Sequence, residues 1–504
     1  MSARWIKIGL VLFVAAIGVG GILVATHWPF TRGSVIGSLE QRFASTVEFK
    51  TFRVTYFTPG CVAEGVTFRR NADRDAPAIA TVARLTIEGS YAGFFMFPKR
   101  LRRVTLEGLH VLVSPQSERA GNEAPPGGGT DQVKVIIGEI LADGAVLEFA
   151  SGQPGADSLK FDIHKLTLNG VADDRPMSFH AALRNPTPPG EIRADGQFGP
   201  LQRANPGQTA ASGSYVFQNA DLGVFHGIAG TLSSTGKFKG VLQQLDVAGN
   251  TDVPDFEVTS SGHAVHLKTQ FQAAVDGMDG DVALQSVNAQ FGRTSVASHG
   301  EVASQPGLAG KTVSLVGIEQ QGTIQDWLRL LAKAERPALT GAMTFHAQVQ
   351  VPPGKRSFIE RVNLQGDFVI GAADFTQPAT QQKVGNLSQV ALGEKPDDDP
   401  ANVVEDLKGH VVMKDATATF SDFFFSVPGA LAHMHGTYGI LTEKIDLHGN
   451  LRVDNKLSKG STGMKAALLK VAEPFLKKKN AGEIVPIKID GTFSHPSYGL
   501  DVVP

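Results

Sequence analysis

His433 and His435, in "GALAHMHGTYG", are the residues whose type and spacing come nearest to chemistry. Two apart on a strand, they share a face, and both imidazoles could reach one metal ion. A site needs three or four ligands, and no carboxylate or thiol stands at a supporting spacing. Ala430, Ala432 and Met434 form the apolar set of the same segment, which turns the histidines toward water. His263 and His266 in "GHAVHL" are three apart and fall on opposite faces of a strand. The run Asp397 to Asp399 in "EKPDDDPAN" lacks the alternating oxygen ligands and turn glycine of a calcium loop, and reads as a solvated charged loop. No Gly-x-Ser-x-Gly, phosphate-binding loop or His-Glu-x-x-His occurs, and "GVGG" belongs to an apolar run. The single cysteine, Cys61, has no internal disulfide partner and reads as a packed thiol. With no catalytic constellation, metal set or cofactor motif, the chain is expected not to be an enzyme.

What positions side chains in this sequence is a period of two. In "KTFRVTYF", Phe52, Val54 and Tyr56 alternate with Arg53 and Thr55, as on a strand with one buried face. The pattern continues in "ATVARLTIEGS", "RRVTLEGLHVLVSP" and "AVLEFAS", and resumes past residue 131 in short runs punctuated by Gly, Asn-Pro and Asp-Gly. Regular short strands over hundreds of residues mean a sandwich, a barrel or an elongated sheet. Near the C-terminus Phe423, Phe425 and Val427 share one face, and Ala430, Ala432 and Met434 share the next after a Pro428-Gly429 turn. Ile445, Leu447, Leu451 and Val453 alternate with Lys444, Asp446, His448 and Arg452. In the closing stretch Ile487 and Ile489 continue the apolar face, Gly491 permits a bend, and His495-Pro496 falls in a turn. Such a face is either a sandwich core covered by a second sheet or, uncovered, a groove for something greasy.

Helical spacing appears in three places. Val35, Ile36, Leu39 and Phe43 form a short amphipathic helix. Thr323 to Glu335 carries Ile324, Trp327, Leu328 and Leu331 on one stripe, and 463–480 carries Met464, Leu468, Val471 and Phe475. Both stripes suit packing on a sheet. For the second, Lys477, Lys478 and Lys479 suit either a membrane surface or a helix C-terminus.

From Ile8 to Ala25 the chain is uncharged and apolar, and such a helix, slightly extended, can cross a ~30 Å hydrocarbon core. Arg4 and Lys7 before it and Trp28 after it put the N-terminus in the cytoplasm. "LVATHW" makes a poor cleavage site, so an uncleaved anchor is expected. Residues 114–131, "SPQSERAGNEAPPGGGTD", have the Pro, Gly and polar content of a flexible loop. Lys+Arg 47 against Asp+Glu 49 leaves no basic excess for nucleic acid. Phe 30 against Tyr 5 and Trp 3 favours surfaces that touch hydrocarbon over hydrogen-bonding pockets.

The segment Phe423 to Val453, with "HGTYGILTEKIDLHGNLRV", and the closing "IVPIKIDGTFSHPSYGLDV" resemble the C-terminal region of the AsmA-like family of bacterial envelope proteins. A "pxxixGtxxxPxx" strand and turn comes near the end there, as Pro486, Gly491, Thr492 and Pro496 do here. The N-terminal run, with one apolar span, a short helix, "YFTPGCVAEGVTF" and "PAIATVARLTIEGSYAGFFMFPKRLRRVTLEGLHVLV", is also similar to that family, while the middle matches only in style. The resemblance implies a mainly β fold: an N-terminal transmembrane helix, then an elongated, curved, taco-like β-groove with a few amphipathic helices. The regions would be a membrane anchor at 1–30, an N-terminal β region with a short helix at 31–113, a flexible loop at 114–131, and a groove region at 132–504 that includes the motif 423–504. It further implies a single-pass inner-membrane protein of a Gram-negative bacterium, its bulk periplasmic, carrying phospholipid acyl chains in outer-membrane biogenesis. The groove candidates are Phe423, Phe425, Val427, Ile445, Leu447, Leu451, Ile487 and Ile489.

A buried methylene is worth ~0.8 kcal/mol, so a groove of Phe, Leu, Ile and Val can shield an acyl chain. These contacts are non-directional, and the chain can slide without breaking specific bonds. About twenty-five strands at ~4.8 Å spacing would make a groove ~120 Å long. The other reading is an envelope scaffold or assembly factor for outer-membrane proteins, acting through inner- or outer-membrane protein partners. Its mark would be a closed core with apolar residues on exposed strand edges.

Overall fold

A computed structural model of the chain describes residues 29–43, 45–69, 78–94, 99–113, 135–149, 158–172, 174–202, 205–306, 308, 310–378, 404–427, 430–453, 483–493 and 495–501. The expected anchor at 8–25, the loop at 114–131, the acidic run at 397–399, the turn at 428–429 and the helix at 463–480 lie outside these residues. Among the described residues no helix is long and apolar enough to cross a membrane. The fold is mainly β, with twenty-five strands and a few short helices among the described residues. Contacts divide it into two compact units, Met1–Pro186 with Arg193–Thr209, and Thr187–Ile192 with Ala210–Pro504.

The first unit opens with α1 (Arg32–Phe43), β1 (Thr46–Glu48), β2 (Thr51–Thr55), β3 (Gly60–Arg69) and β4 (Ala78–Gly89). After α2 (Tyr91–Phe94) come β5 (Lys99–Val113), β6 (Val135–Phe149), β7 (Leu159–Val171) and β8 (Met177–Pro186); β9 (Pro189–Phe198) falls in both units. β3 pairs antiparallel with β1, β2 and β4, and β4–β5, β6–β7 and β7–β8 are antiparallel too, whereas β5 and β6 run parallel from Lys99↔Val135 to Val113↔Phe149. A parallel pair needs a long crossover, and twenty-one residues separate Val113 from Val135 in the chain. The apolar stripe of α1 lies on the sheet: Val35 is buried, and Ile36 and Leu39 pack against the cluster of Val47, Phe49, Ala63, Val66 and Val82. Phe43 ends the stripe outside the cluster, its ring edge-on to Phe68 at 5.6 Å. Cys61 is buried in the same core, and desolvation pushes its thiol up to about 12, which keeps it protonated and unreactive.

The second unit begins with β10 (Ala210–Asp221), β11 (Ile228–Ala229), β12 (Thr231–Val241), β13 (Gln244–Val258), β14 (Ala264–Val275), β15 (Val282–Phe291) and β16 (Thr294–Ser304). β17 (Lys311–Thr323) passes directly into α3 (Ile324–Leu331), followed by β18 (Leu339–Val351), α4 (Phe358–Arg361), β19 (Asn363–Phe375) and β20 (Glu405–Lys414). The last strands are β21 (Thr417–Val427), β22 (Ala430–Gly439), β23 (Lys444–Val453), β24 (Glu483–Thr492) and β25 (His495–Leu500). Successive strands pair antiparallel, apart from the two-residue β11, which docks on β13 while β10 pairs β12. Among the described residues no pairing joins β10 to β25, and the sheet of this unit is unclosed there.

Many strands outrun the short runs expected between glycines. β13 continues for 15 residues through Gly249, where a Cβ would stand 2.9 Å from the Tyr215 hydroxyl and 3.1 Å from the Phe271 ring. That glycine makes room for neighbouring rings instead of ending a strand. His495, expected in a turn with Pro496, instead opens β25 opposite Thr492, and Pro496 lies in the ladder opposite Gly491. The ladder resumes at His495, three residues beyond Thr492, and a strand paired on one side can tolerate a residue with no N–H to donate.

Candidate functional site

Alternation along the last strands sorts polar from apolar residues. On β22 Ala430, Ala432 and Met434 are buried and Leu431, His433 and His435 exposed. Residues in register across antiparallel strands share a face, and one such row runs Val296, Glu319, Phe345, Phe368, Gly409, Phe423, Met434, Gly449 and Ile487. Large side chains lean over the glycines of this row. A Cβ on Gly449 would stand 2.7 Å from the Met434 Sδ, and one on Gly409 would stand 3.2 Å from the Phe368 ring. The Phe368 and Phe423 rings, on strands either side of β20, thereby come within 6.3 Å. Phe420 meets both, at 6.2 and 5.8 Å, and Phe425 continues the cluster at 6.1 Å from Phe423.

This face bounds a cavity of about 770 Å3. Of the eight residues singled out in the sequence, seven line it: Phe423, Phe425, Ile445, Leu447, Leu451, Ile487 and Ile489. Val427 pairs with Ala430 in the ladder, and its side chain lies outside the described part. Leu451 belongs to the fully buried floor with Ala432 and Met434, while Phe423, Phe425, Leu447, Ile487 and Ile489 are partly buried around it. The opposite wall was not singled out in the sequence: Met343 and Phe345 on β18, Phe368 and Ile370 on β19, Leu407 and Met413 on β20. The alternation in "AMTFHAQV" and "GDFVIGA" carried that signal.

Helix α3 supplies the remaining wall through Ile324, Trp327, Leu328 and Leu331, the stripe read from the sequence as packing on a sheet. The Trp327 ring stands edge-on between Phe291 at 5.0 Å and Phe345 at 5.1 Å. Its Nε1 donates to Glu319 Oε2 at 3.2 Å. Asp326 accepts from the Arg293 backbone N–H at 2.8 Å and the Thr294 hydroxyl at 2.9 Å, which ties down the first turn of the helix. Glu319 is only 2 % exposed, and its Oε1 has no hydrogen-bond partner among the described residues. Burial pushes its carboxyl up to about 7; the Asp326 charge adds to this and the Trp327 hydrogen bond opposes it.

A cavity with this lining can take hydrocarbon out of water, and Asp367, Gln377, Tyr438 and Lys488 bring polar groups to it. Its one buried hydroxyl group, on Tyr438, has no hydrogen-bond partner among the described residues, and burial together with the Glu443 carboxylate pushes it up to about 12. Among the described residues no group of three or more His, Cys, Asp or Glu is placed to hold a metal ion. His433 stands 3.3 Å from Asp422 and stacks on Phe424, and His448 lies 3.0 Å from both Asp446 and Asp501. His263 reaches the backbone carbonyls of Lys333 and Ala334, while His266 pairs with Asp252 at 2.7 Å. Comparison with protein-family models and with curated proteins finds no match to the chain.

Proposed function

We propose that this chain is a membrane-anchored lipid-binding or lipid-transfer protein of the AsmA-like type, held in the inner membrane of a Gram-negative bacterium with its bulk in the periplasm. Its cavity shields phospholipid acyl chains on their way to outer-membrane biogenesis. The observation that carries this reading is the lining: residues from β18 to β25 and from α3 present Phe, Leu, Ile and Met side chains to a single space of about 770 Å3. That size lies within the ~300–1,000 Å3 range of small-molecule sites. A lining built largely of apolar side chains, with Asp367, Gln377, Tyr438 and Lys488 as its polar members, favours an occupant that is mostly hydrocarbon, at ~0.8 kcal/mol per methylene withdrawn from water. Non-directional contacts let that occupant move along the face.

The test is native mass spectrometry of the purified full chain, followed by lipid extraction. Wild type is expected to carry phospholipid. Phe423→Asp and Leu447→Asp, each placing a charge against the acyl chain, are expected to reduce occupancy at least about tenfold, equivalent to ~1.4 kcal/mol. Circular dichroism establishes that both variants fold. A wild-type protein without bound lipid overturns the proposal, and crosslinks from position 423 to a protein with no lipid adduct would support the scaffold reading instead.

A further inference from the structure

We infer that one end of the first unit, built from Tyr56, Phe57, Tyr91, Lys99, Arg100 and Arg102, seats on a bilayer face that carries anionic headgroups. Phe57 is 105 % exposed, Tyr56 60 % and Tyr91 47 %, at the turn between β2 and β3 and on the neighbouring α2. The turn is pinned from below. Pro59 and Gly60 are buried, the Pro59 carbonyl accepts from the Gly89 N–H at 2.7 Å, and a Cβ on Gly60 would stand 2.0 Å from the Ile87 carbonyl oxygen. The Thr55 hydroxyl donates to the Thr58 carbonyl at 2.8 Å, and the Tyr91 hydroxyl donates to the Tyr56 carbonyl. The pinned turn therefore holds Phe57 out in water.

The cations stand beside this tip. Leu101 pairs with Gly89 across β4 and β5, and α2 rests on the start of β5, where a Cβ on Gly93 would stand 2.5 Å from the Arg100 carbonyl oxygen. Lys99, Arg100 and Arg102 are all exposed. Protruding aromatic rings ringed by Lys and Arg match the bilayer interface, where rings sit at headgroup depth and cations meet anionic lipid.

The route of the chain points to the same occupant, and here the inference rests on the anchor proposed above. Helix α1 starts where the Arg32 guanidinium donates to the Phe49 carbonyl at 3.0 Å, and ends with Phe43 against Phe68, near the end of β3 farthest from the tip. The uncharged run from Ile8 to Ala25 is joined to α1 through only the six residues 26–31, so the anchor proposed above tethers this unit close to the bilayer.

Nitroxide labelling of the full chain tests this, with Phe57→Cys as the probe position and Glu107→Cys, exposed farther along β5, as the reference. Cys61 is 1 % exposed and does not compete for the label. In phosphatidylglycerol–phosphatidylethanolamine vesicles the label at 57 is expected to become accessible to dissolved oxygen and shielded from a water-soluble nickel chelate, while the label at 107 stays open to the chelate. Replacing Lys99, Arg100 and Arg102 together with Glu, in a variant checked by circular dichroism, is expected to abolish that shielding. A chain that floats with the vesicles while both labels stay equally open to the chelate overturns the tip contact and leaves the anchor standing. A chain that does not float overturns both. Shielding at 57 that persists without vesicles marks a protein contact and overturns the bilayer reading.

Discussion

Glu319 is a carboxyl in a row otherwise built of Phe, Val, Met, Ile and Gly, and it survives there because Trp327 gives it one hydrogen bond. Its other oxygen has no partner among the described residues, and a buried acceptor left unpaired costs ~1–3 kcal/mol. Protonation relieves part of that cost, consistent with a carboxyl pushed up to about 7. The folded chain therefore holds a proton that the unfolded chain releases between pH 4.5 and about 7. The contribution of Glu319 is most favourable below pH 4.5, declines as pH rises through that window and is flat above it. At 1.36 kcal/mol per pH unit the decline reaches roughly 3 kcal/mol. Glu319→Gln is expected to remove it. Urea unfolding of wild type and variant at several pH values checks this, because the difference between the two curves cancels the other titrating groups. A difference independent of pH would show that Glu319 is ionised in the fold.

Helix α3 has eight residues, too few to be stable alone, and depends on what it packs against. Its anchors come from β15, β16 and β18, through Phe291, Thr294 and Phe345. Trp327→Ala removes the ring between the two phenylalanines and leaves Glu319 without its donor. Destabilisation of about 3–5 kcal/mol is expected, read as a lower denaturant midpoint at unchanged m-value. A shift below about 1 kcal/mol would mean that the helix is held by its Asp326 contacts alone. The stripe of α3 was legible in the sequence, since helical spacing is a property of neighbouring residues. Which surface it covers was not, because Phe291 and Phe345 reach it only through the pairing of β15 to β18.

At the scale of the molecule, every residue that lines the cavity belongs to the second unit. That unit has its own buried clusters around Met434, Ile359 and Phe291. A chain comprising residues 187–504 is therefore expected to fold and to retain phospholipid at the stoichiometry of the full chain, measured by the same native mass spectrometry. Loss of lipid from this folded piece would show that the first unit takes part in binding. The period of two marked much of this architecture, and it sorted the inward Ala430, Ala432 and Met434 from the outward His433 and His435 without any structure.

The sequence by itself determined which side of a strand each residue takes, because alternation of Cβ direction is local. It also located the stripes of α1 and α3. Only the tertiary structure decided the lengths of the strands, since a glycine such as Gly249 reads as a break until a neighbouring side chain is seen to need its space. Only the tertiary structure aligned Phe345, Phe368, Phe423 and Ile487 in one row, buried Glu319 under Trp327 and made β5 and β6 parallel. Register, coverage and burial are set by pairings between residues far apart in the chain, and no local period records them.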